Sequence, residues 1–122
     1  MGKWKTIDHE TGQTQSIVEL LEESGKVYGK ILEVLDPDAK NTTCEHCSGE
    51  RKGQPFVGMR ILWDMEKEGN SNTWSAGHVF SPERDKTFTC KMWLEKSDSE
   101  TVLKVRGYYY AFFATQTWYR VK

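Results

Sequence analysis

The chain has 122 residues, which fits one domain with a sizeable core, and its 17 Lys and Arg nearly balance its 18 Asp and Glu. A net charge of −1 argues against a nucleic-acid partner, which usually requires a strongly basic face. No stretch approaches the roughly 20 apolar residues of a transmembrane helix. The five Trp, five Tyr and five Phe are many for this length and suit a barrel or an interface, because each buries a large area.

Eight segments predict β-strands, because β-branched and aromatic residues dominate them and turn signals separate them. The predicted strands span residues 4–8, 15–22, 27–35, 56–66, 73–80, 87–94, 101–110 and 115–121. No window of helical length shows a period of 3.6 residues, and a long polar loop covers residues 36–54. Short connections between eight strands favour one all-β domain over residues 1–122, an antiparallel up-and-down barrel whose closure removes exposed edges.

Closure of the barrel places the last strand beside the first. Trp118 and Arg120 point to the same side of the last strand, and Arg120 then comes near Trp4. An arginine over an indole ring is a favourable cation–π contact. We therefore predict a structural role for Trp4 and Arg120, which close the end of the barrel opposite a ligand mouth.

An ordered set of short motifs runs along essentially the whole chain. The motifs are Trp4-x-Thr6-x-Asp8, Tyr28-Gly29-Lys30-Ile31, Cys44-x-x-Cys47-x-Gly49, Gln54-Pro55-x-x-Gly58-Met59, Trp74-x-x-Gly77, Phe88-x-Cys90, Val105-Arg106-Gly107-Tyr108 and Gln116-Thr117-Trp118-x-Arg120. Together they resemble the bacterial family of domain of unknown function 2147, whose members are similar to lipocalins in fold. The Gly2-x-Trp4 start with an arginine in the last strand also resembles the pairing with which lipocalins shut their barrel.

The resemblance implies a lipocalin-like barrel and a compartment. Family members usually carry an export signal, which implies a secreted or periplasmic protein whose signal peptide is removed from this sequence. The sequence departs from the family pattern at Phe88, where Tyr is usual, and at Tyr110, where Gly is common. These departures bear on any ligand carried over from a relative.

The cysteines allow several interpretations. Cys44 and Cys47 have zinc-like spacing around His46, but a structural zinc site needs four ligands and His46 is too close to both cysteines in sequence to bind easily with them. The pair lies in a polar loop, which favours a Cys44–Cys47 disulfide in an exported protein over free thiols, metal binding or redox catalysis. Cys90 alternates with apolar residues and is predicted to be a buried thiol.

No catalytic or metal-binding constellation emerges elsewhere, and we expect neither an enzyme nor a bound cofactor or metal. Asp36 and Asp38 resemble the start of a calcium loop, but Lys40 occupies the next ligand position. His9, His46 and His78 lie far apart in sequence. The sequence has no nucleophile elbow and no Gly-rich phosphate loop.

The predicted barrel interior is apolar, aromatic and rich in methionine, which suits a small hydrophobic or amphipathic ligand. The candidate ligand-binding residues are Tyr28, Met59, Ile61, Trp63, His78, Phe88, Met92, Tyr109 and Trp118. Among them, Tyr28, His78 and Tyr109 would orient the ligand at the mouth. The alternative is a filled barrel that acts as a protein-interaction module, in which Trp93 and Tyr119 serve a partner or a homodimer.

Overall fold

The computed structural model describes residues 2–7, 14–35, 43–45, 47–81, 84–97 and 100–121, in which eight antiparallel strands form one closed barrel. Each strand pairs with the next, and β8 returns to β1. The strands are β1 Gly2–Ile7, β2 Thr14–Glu23, β3 Lys26–Val34, β4 Arg60–Lys67, β5 Thr73–Ser81, β6 Lys86–Ser97, β7 Glu100–Tyr109 and β8 Phe112–Arg120, with a 3₁₀ turn at Gly49–Arg51. The predicted all-β, eight-stranded up-and-down barrel is confirmed.

Every strand differs from its predicted bounds by at least one residue, and the largest differences are in β4, in β8 and in β6, which extends to Ser97. Residues 56–59 lie outside β4, because Gly58 takes a φ of +90° that interrupts the extended backbone. β8 begins at Phe112 rather than at residue 115, so the β7–β8 hairpin closes through a two-residue turn at Tyr110 and Ala111. The aromatic residues around this turn are therefore part of the hairpin.

The two ends of the barrel are built differently. One end, called here the closed end, carries the start of β1, the β2–β3 turn at Ser24 and Gly25, and the end of β8. The opposite end, called here the mouth, carries the β3–β4 loop, the β5–β6 turn and the β7–β8 turn. Because the strands form a simple meander, these connections alternate between the two ends along the chain.

A bulge in β4 changes which side chains face the interior. Met65 lies opposite Val27 and Leu62 lies opposite Gly29, so three steps along β4 match two steps along β3. Asp64 lies in the longer segment, with a left-handed φ of 58°. One extra residue shifts the inside–outside alternation by one position along the rest of the strand.

A second bulge lies in β5. Trp74 is opposite Met92 and Gly77 is opposite Cys90, so three steps along β5 match two along β6. Ala76 takes a φ of 64° within the longer segment. Trp74 and Gly77 therefore face the same side of the sheet, although strict alternation would place them on opposite sides.

Candidate functional site

The interior is densely filled near the closed end. Trp4, Met92 and Leu103 are fully buried, and Trp118 is 2% exposed. Leu103 and Trp118 are paired across β7 and β8, and β1 joins β8 where Trp4 meets Arg120. This half of the barrel is a packed core.

Burial falls along the same inner faces toward the mouth. On β7 the inner positions go from Leu103 and Val105, both buried, to Gly107, which is partly exposed, and Tyr109, which is 41% exposed. On β8 the change is steeper, because Trp118 is buried and the next inner position, Gln116, is already exposed. The mouth half therefore presents an inner wall to solvent, called here the cup. Its wall consists of Val79, Phe88, Gly107, Tyr109, Ala114 and Gln116, with Phe112 opposite Tyr109 at the rim.

Two small residues face each other in the wall of the cup. Gly107 is paired with Ala114, so neither strand places a large side chain at this level of the wall. A Cβ atom at Gly107 would lie 3.3 Å from the Cβ of Phe88 and 3.6 Å from a methyl carbon of Val79. From the sequence, Gly107 and Gln116 were noted within the motifs but not as candidate ligand-binding residues, and Val79 and Ala114 were not singled out. A small residue opposite a small residue is a signal that becomes visible only once the hairpin register is known.

The cup combines an aromatic wall with polar groups. The rings of Phe88 and Tyr109 meet edge to face, with centroids 5.8 Å apart. Trp118 donates its indole N–H to Oε1 of Gln116 at 3.1 Å, which ties the Gln116 amide to the top of the packed half. An apolar body would contact the ring and methyl groups, and the amide and phenol groups would meet its polar end.

The predicted ligand-binding residues fall into separate places. Phe88 and Tyr109 border the cup, whereas Met92 and Trp118 lie below it in the packed half. Met59 and Ile61 are buried, with 8% and 7% exposure, where the chain enters β4. The backbone N–H of Ile31 donates to the carbonyl of Met59 at 3.0 Å, which fixes this entry to β3.

Tyr28 lies on the outside of the barrel. It follows Val27, which is buried, and the guanidinium of Arg60 lies 4.0 Å from its ring centroid. Arg60 itself is exposed and forms a 3.8 Å ion pair with Glu23. A side chain in this position cannot line the interior, so Tyr28 is not part of the cup.

Trp63 and His78 also face outward, because the two bulges shift the alternation. Leu62 points inward, since a Cβ on the neighbouring Gly29 would meet both it and Leu20, and Trp63 follows Leu62. His78 follows the inward-facing Gly77 and pairs with the exposed Thr89. The alternation used in the sequence analysis placed both residues inside, and the bulges explain the difference.

On the outer wall, Trp63 and His78 form a cluster under the β3–β4 loop. Their rings stack with centroids 5.7 Å apart. Arg51 reaches over from the 3₁₀ turn, with its guanidinium 4.0 Å from the ring centroid of Phe80 and 5.4 Å from that of Trp63. Phe80 is buried to 3% exposure, so this loop covers a small apolar core outside the barrel.

Arg120 covers Trp4 at the closed end. Its guanidinium carbon lies 4.7 Å from the indole centroid, and the two residues are paired across β1 and β8. Trp4 is fully buried, whereas Arg120 is exposed. The arginine therefore lies over a buried ring from the solvent side.

The three cysteines differ in state. Cys44 and Cys47 form a disulfide, with Cα atoms 5.4 Å apart. Both are buried, and backbone hydrogen bonds join Cys44 to Gln54 and Gly53 across the loop. Cys90 is a free, buried thiol, and desolvation raises its pKa to about 12, so it is a poor nucleophile.

The metal interpretation finds no support in the part of the chain that the structure describes. No group of three or more His, Cys, Asp or Glu side chains that could hold a metal ion occurs there. His9, His46, Asp36 and Asp38, which entered the metal interpretations, lie outside the described residues.

A family model described as "Uncharacterized protein conserved in bacteria (DUF2147)" matches residues 2–120. The chain belongs to this family. The family's description assigns no activity, and no curated protein matches the chain. The membership confirms the resemblance noted from the motifs.

A solved structure shows the same fold. It is described as "Protein HP1028 from the human pathogen Helicobacter pylori belongs to the lipocalin family", and it is 21% identical, with a TM-score of 0.80. The alignment covers 99% of this chain and 82% of the other. The fold is thus lipocalin-like. Among the described residues, no helix has the length and apolar character needed to cross a membrane.

Proposed function

We propose that the protein binds a small apolar or amphipathic molecule in the cup at the mouth of the barrel. The observation that carries this proposal is the change in burial along β8, from 2% exposure at Trp118 to exposed side chains at Gln116 and Ala114. A filled barrel would bury these inner positions as well. The lipocalin-like fold supports a binding role rather than a catalytic one.

Burial of apolar surface would supply most of the affinity, near 25 cal/mol per Å² before ordering costs. Val79 and Phe88 offer an apolar wall, and both pack over Gly107. Gln116 and the hydroxyl of Tyr109 would meet the polar end of the ligand. Met92 and Trp118 then form the packed floor below the ligand instead of surrounding it.

We place this activity in the bacterial envelope or outside the cell. The Cys44–Cys47 disulfide supports this proposal, since such bonds persist in oxidising compartments. The second candidate function, a protein-interaction module, is favoured by the packed closed half of the barrel. It predicts a cup that binds no small molecule.

A polyene fatty acid, cis-parinaric acid, tests the proposal because its fluorescence rises in an apolar site. We expect saturable binding with one molecule per chain. Ala114→Trp should weaken binding by at least about tenfold, because an indole at this exposed inner position fills the cup. Thr87→Trp, which adds the same bulk to the exposed outer face of β6, should bind like the wild type.

Two outcomes would reject ligand binding in the cup. One is a wild-type protein that shows no saturable fluorescence change. The other is an Ala114→Trp variant that binds the probe as tightly as the Thr87→Trp control.

A further inference from the structure

The turn between β7 and β8 exposes an unusual amount of aromatic surface. Tyr110 is 90% exposed, Phe112 is 77% exposed and Phe113 is 61% exposed. These three residues, called here the aromatic tip, stand at the mouth beside Tyr109. Several exposed apolar side chains grouped at one turn mark an interaction site more often than isolated exposed residues do.

The backbone conformation at Tyr110 is unfavourable for a tyrosine. Tyr110 takes a φ of 56° at the first position of the two-residue turn. Glycine is favoured where a hairpin turn needs positive φ, and a bulky residue there is destabilising. The most exposed aromatic ring of the tip thus occupies a position where the turn alone would favour glycine.

Cations lie near the tip, and the mouth halves of β6, β7 and β8 carry no acidic residue. Lys86 Nζ lies 5.0 Å from the ring centroid of Tyr109, and the Arg106 guanidinium lies 4.6 Å from that of Phe113. Residues 86–94 and 101–119 contain four basic residues, Lys86, Lys91, Lys104 and Arg106, and no acidic residue. Asp85, next to Lys86, accepts a hydrogen bond from the backbone N–H of Ser48 at 3.1 Å.

The basic character continues down the outer face of this part of the barrel. Arg106 lies between Phe113 and Trp93, with its guanidinium 5.0 Å from the Trp93 centroid, and donates to Thr115 Oγ1 at 2.8 Å. Lys104 donates to Thr117 Oγ1 at 2.7 Å on the same face. In a chain of net charge −1, this is a local concentration of positive charge.

We propose that the aromatic tip inserts into the interfacial region of an anionic lipid bilayer, with Lys86 and Arg106 at the level of the phosphates. Tyr and Phe side chains partition into that region, and nearby cations add electrostatic attraction to anionic lipid. The tip is a convex hairpin end, which suits insertion into a bilayer, whereas a nucleic-acid strand requires a groove along which its bases stack.

Membrane docking would hold the mouth of the barrel against the bilayer surface. The tip and the cup share the mouth, so a lipophilic molecule could pass between bilayer and cup with little exposure to water. The docking inference does not require the cup to bind a ligand, because it depends only on the residues of the tip and their flanking cations.

Vesicle co-sedimentation tests the inference with the double variant Tyr110→Gly, Phe112→Ser. We expect the wild type to bind vesicles made of phosphatidylcholine and phosphatidylglycerol in equal parts. It should bind vesicles of phosphatidylcholine alone more weakly. The double variant should lose at least about tenfold in partitioning. Added salt should weaken wild-type binding, because it screens the flanking cations.

Val57→Ser is the matched control. Val57 is 57% exposed and lies in the β3–β4 loop at the same end of the barrel. This variant should bind vesicles like the wild type, and a loss equal to that of the double variant would overturn the tip as the contact. Thermal unfolding of all three proteins should show that each is folded. The double variant in particular should fold, since glycine at position 110 removes the strained φ.

Two further results would overturn the inference. The first is wild-type protein that does not bind anionic vesicles at all. The second is tip-dependent binding to a single-stranded oligonucleotide without vesicle binding, which would assign the patch to nucleic acid. Binding of cis-parinaric acid measured without vesicles separates a failure of docking from a failure of the cup.

Discussion

At the scale of single residues, the pairing of Arg120 with Trp4 is worth less than a buried pair would be. The indole is fully buried, but the guanidinium above it is exposed and remains hydrated. Exposed cation–π contacts contribute about 0.5–1 kcal/mol, against 2 kcal/mol or more when the cation is desolvated. The position of the arginine could be predicted from barrel closure, whereas its exposure depends on where β8 ends.

We expect Arg120→Ala to lower the free energy of unfolding by about 0.5–1 kcal/mol, and Arg120→Lys to recover only part of this, because an ammonium does not stack in a plane. Urea unfolding of a double-mutant cycle with Trp4→Leu should show a coupling energy above the additivity error of about 0.3–0.5 kcal/mol.

Arg60→Ala provides the control for this cycle. Arg60 lies over Tyr28 rather than Trp4, so its effect should add to that of Trp4→Leu. Additive effects for Arg120 as well would mean that the contact with Trp4 contributes no stability.

Cys90 links burial to the pH dependence of stability. The pKa of its thiol is raised from 9.0 to about 12 in the fold, so the folded protein keeps a proton that the unfolded chain releases between these values. Stability from this group is complete below pH 9 and declines as the pH rises toward 12. Denaturation by urea across this range should show the decline in the wild type. Cys90→Ala should show a shallower slope, and an equal slope would contradict the assignment.

At the scale of strands, the sequence predicted which elements exist better than which faces they present. Turn signals and β-branched runs were enough for eight strands and their order. The bulges at Asp64 and Ala76 were not predictable, because neither residue is a glycine and each lies within an unbroken strand pattern. The faces of Trp63 and His78 were therefore misassigned, whereas those of Phe88 and Tyr109, on strands without such a bulge, were correct.

The β5 bulge depends on glycine at position 77. A Cβ there would lie 2.5 Å from the carbonyl oxygen of Trp63, and backbone cannot move away as a flexible side chain can. We expect Gly77→Ala to destabilise the barrel by about 2–4 kcal/mol, as severe overpacking does.

Gly107→Ala is the matched control, since a Cβ there would come no closer than 3.3 Å to Phe88 and points into the cup. Its cost in thermal or urea unfolding should stay below about 1 kcal/mol. Equal costs at the two glycines would show that the clash at position 77 relaxes.

At the scale of the whole molecule, the barrel divides into a packed closed half and an open mouth half. Composition alone could not reveal this division, because Met92 and Phe88 belong to the same alternating face of β6. What separates them is their position along the strand: Met92, paired with Trp74 and Val105, is fully buried, whereas Phe88, paired with Val79 nearer the mouth, is partly exposed. The same sequence feature thus supplies core at one end and candidate site at the other.

Paired glutamate substitutions test this division. Met92→Glu places a carboxylate in the packed half, where burial raises its pKa by several units at 1.36 kcal/mol each, so we expect a loss of about 4 kcal/mol or more at pH 7. Gln116→Glu places the same group at an exposed inner position, where the change should stay within about 0.5 kcal/mol. Gln116→Glu should weaken the binding of cis-parinarate through charge repulsion, while the protein remains folded.

Circular dichroism and urea unfolding check both variants. Two equally stable variants would place Met92 outside the packed half, and two unfolded ones would mean that the cup is filled core.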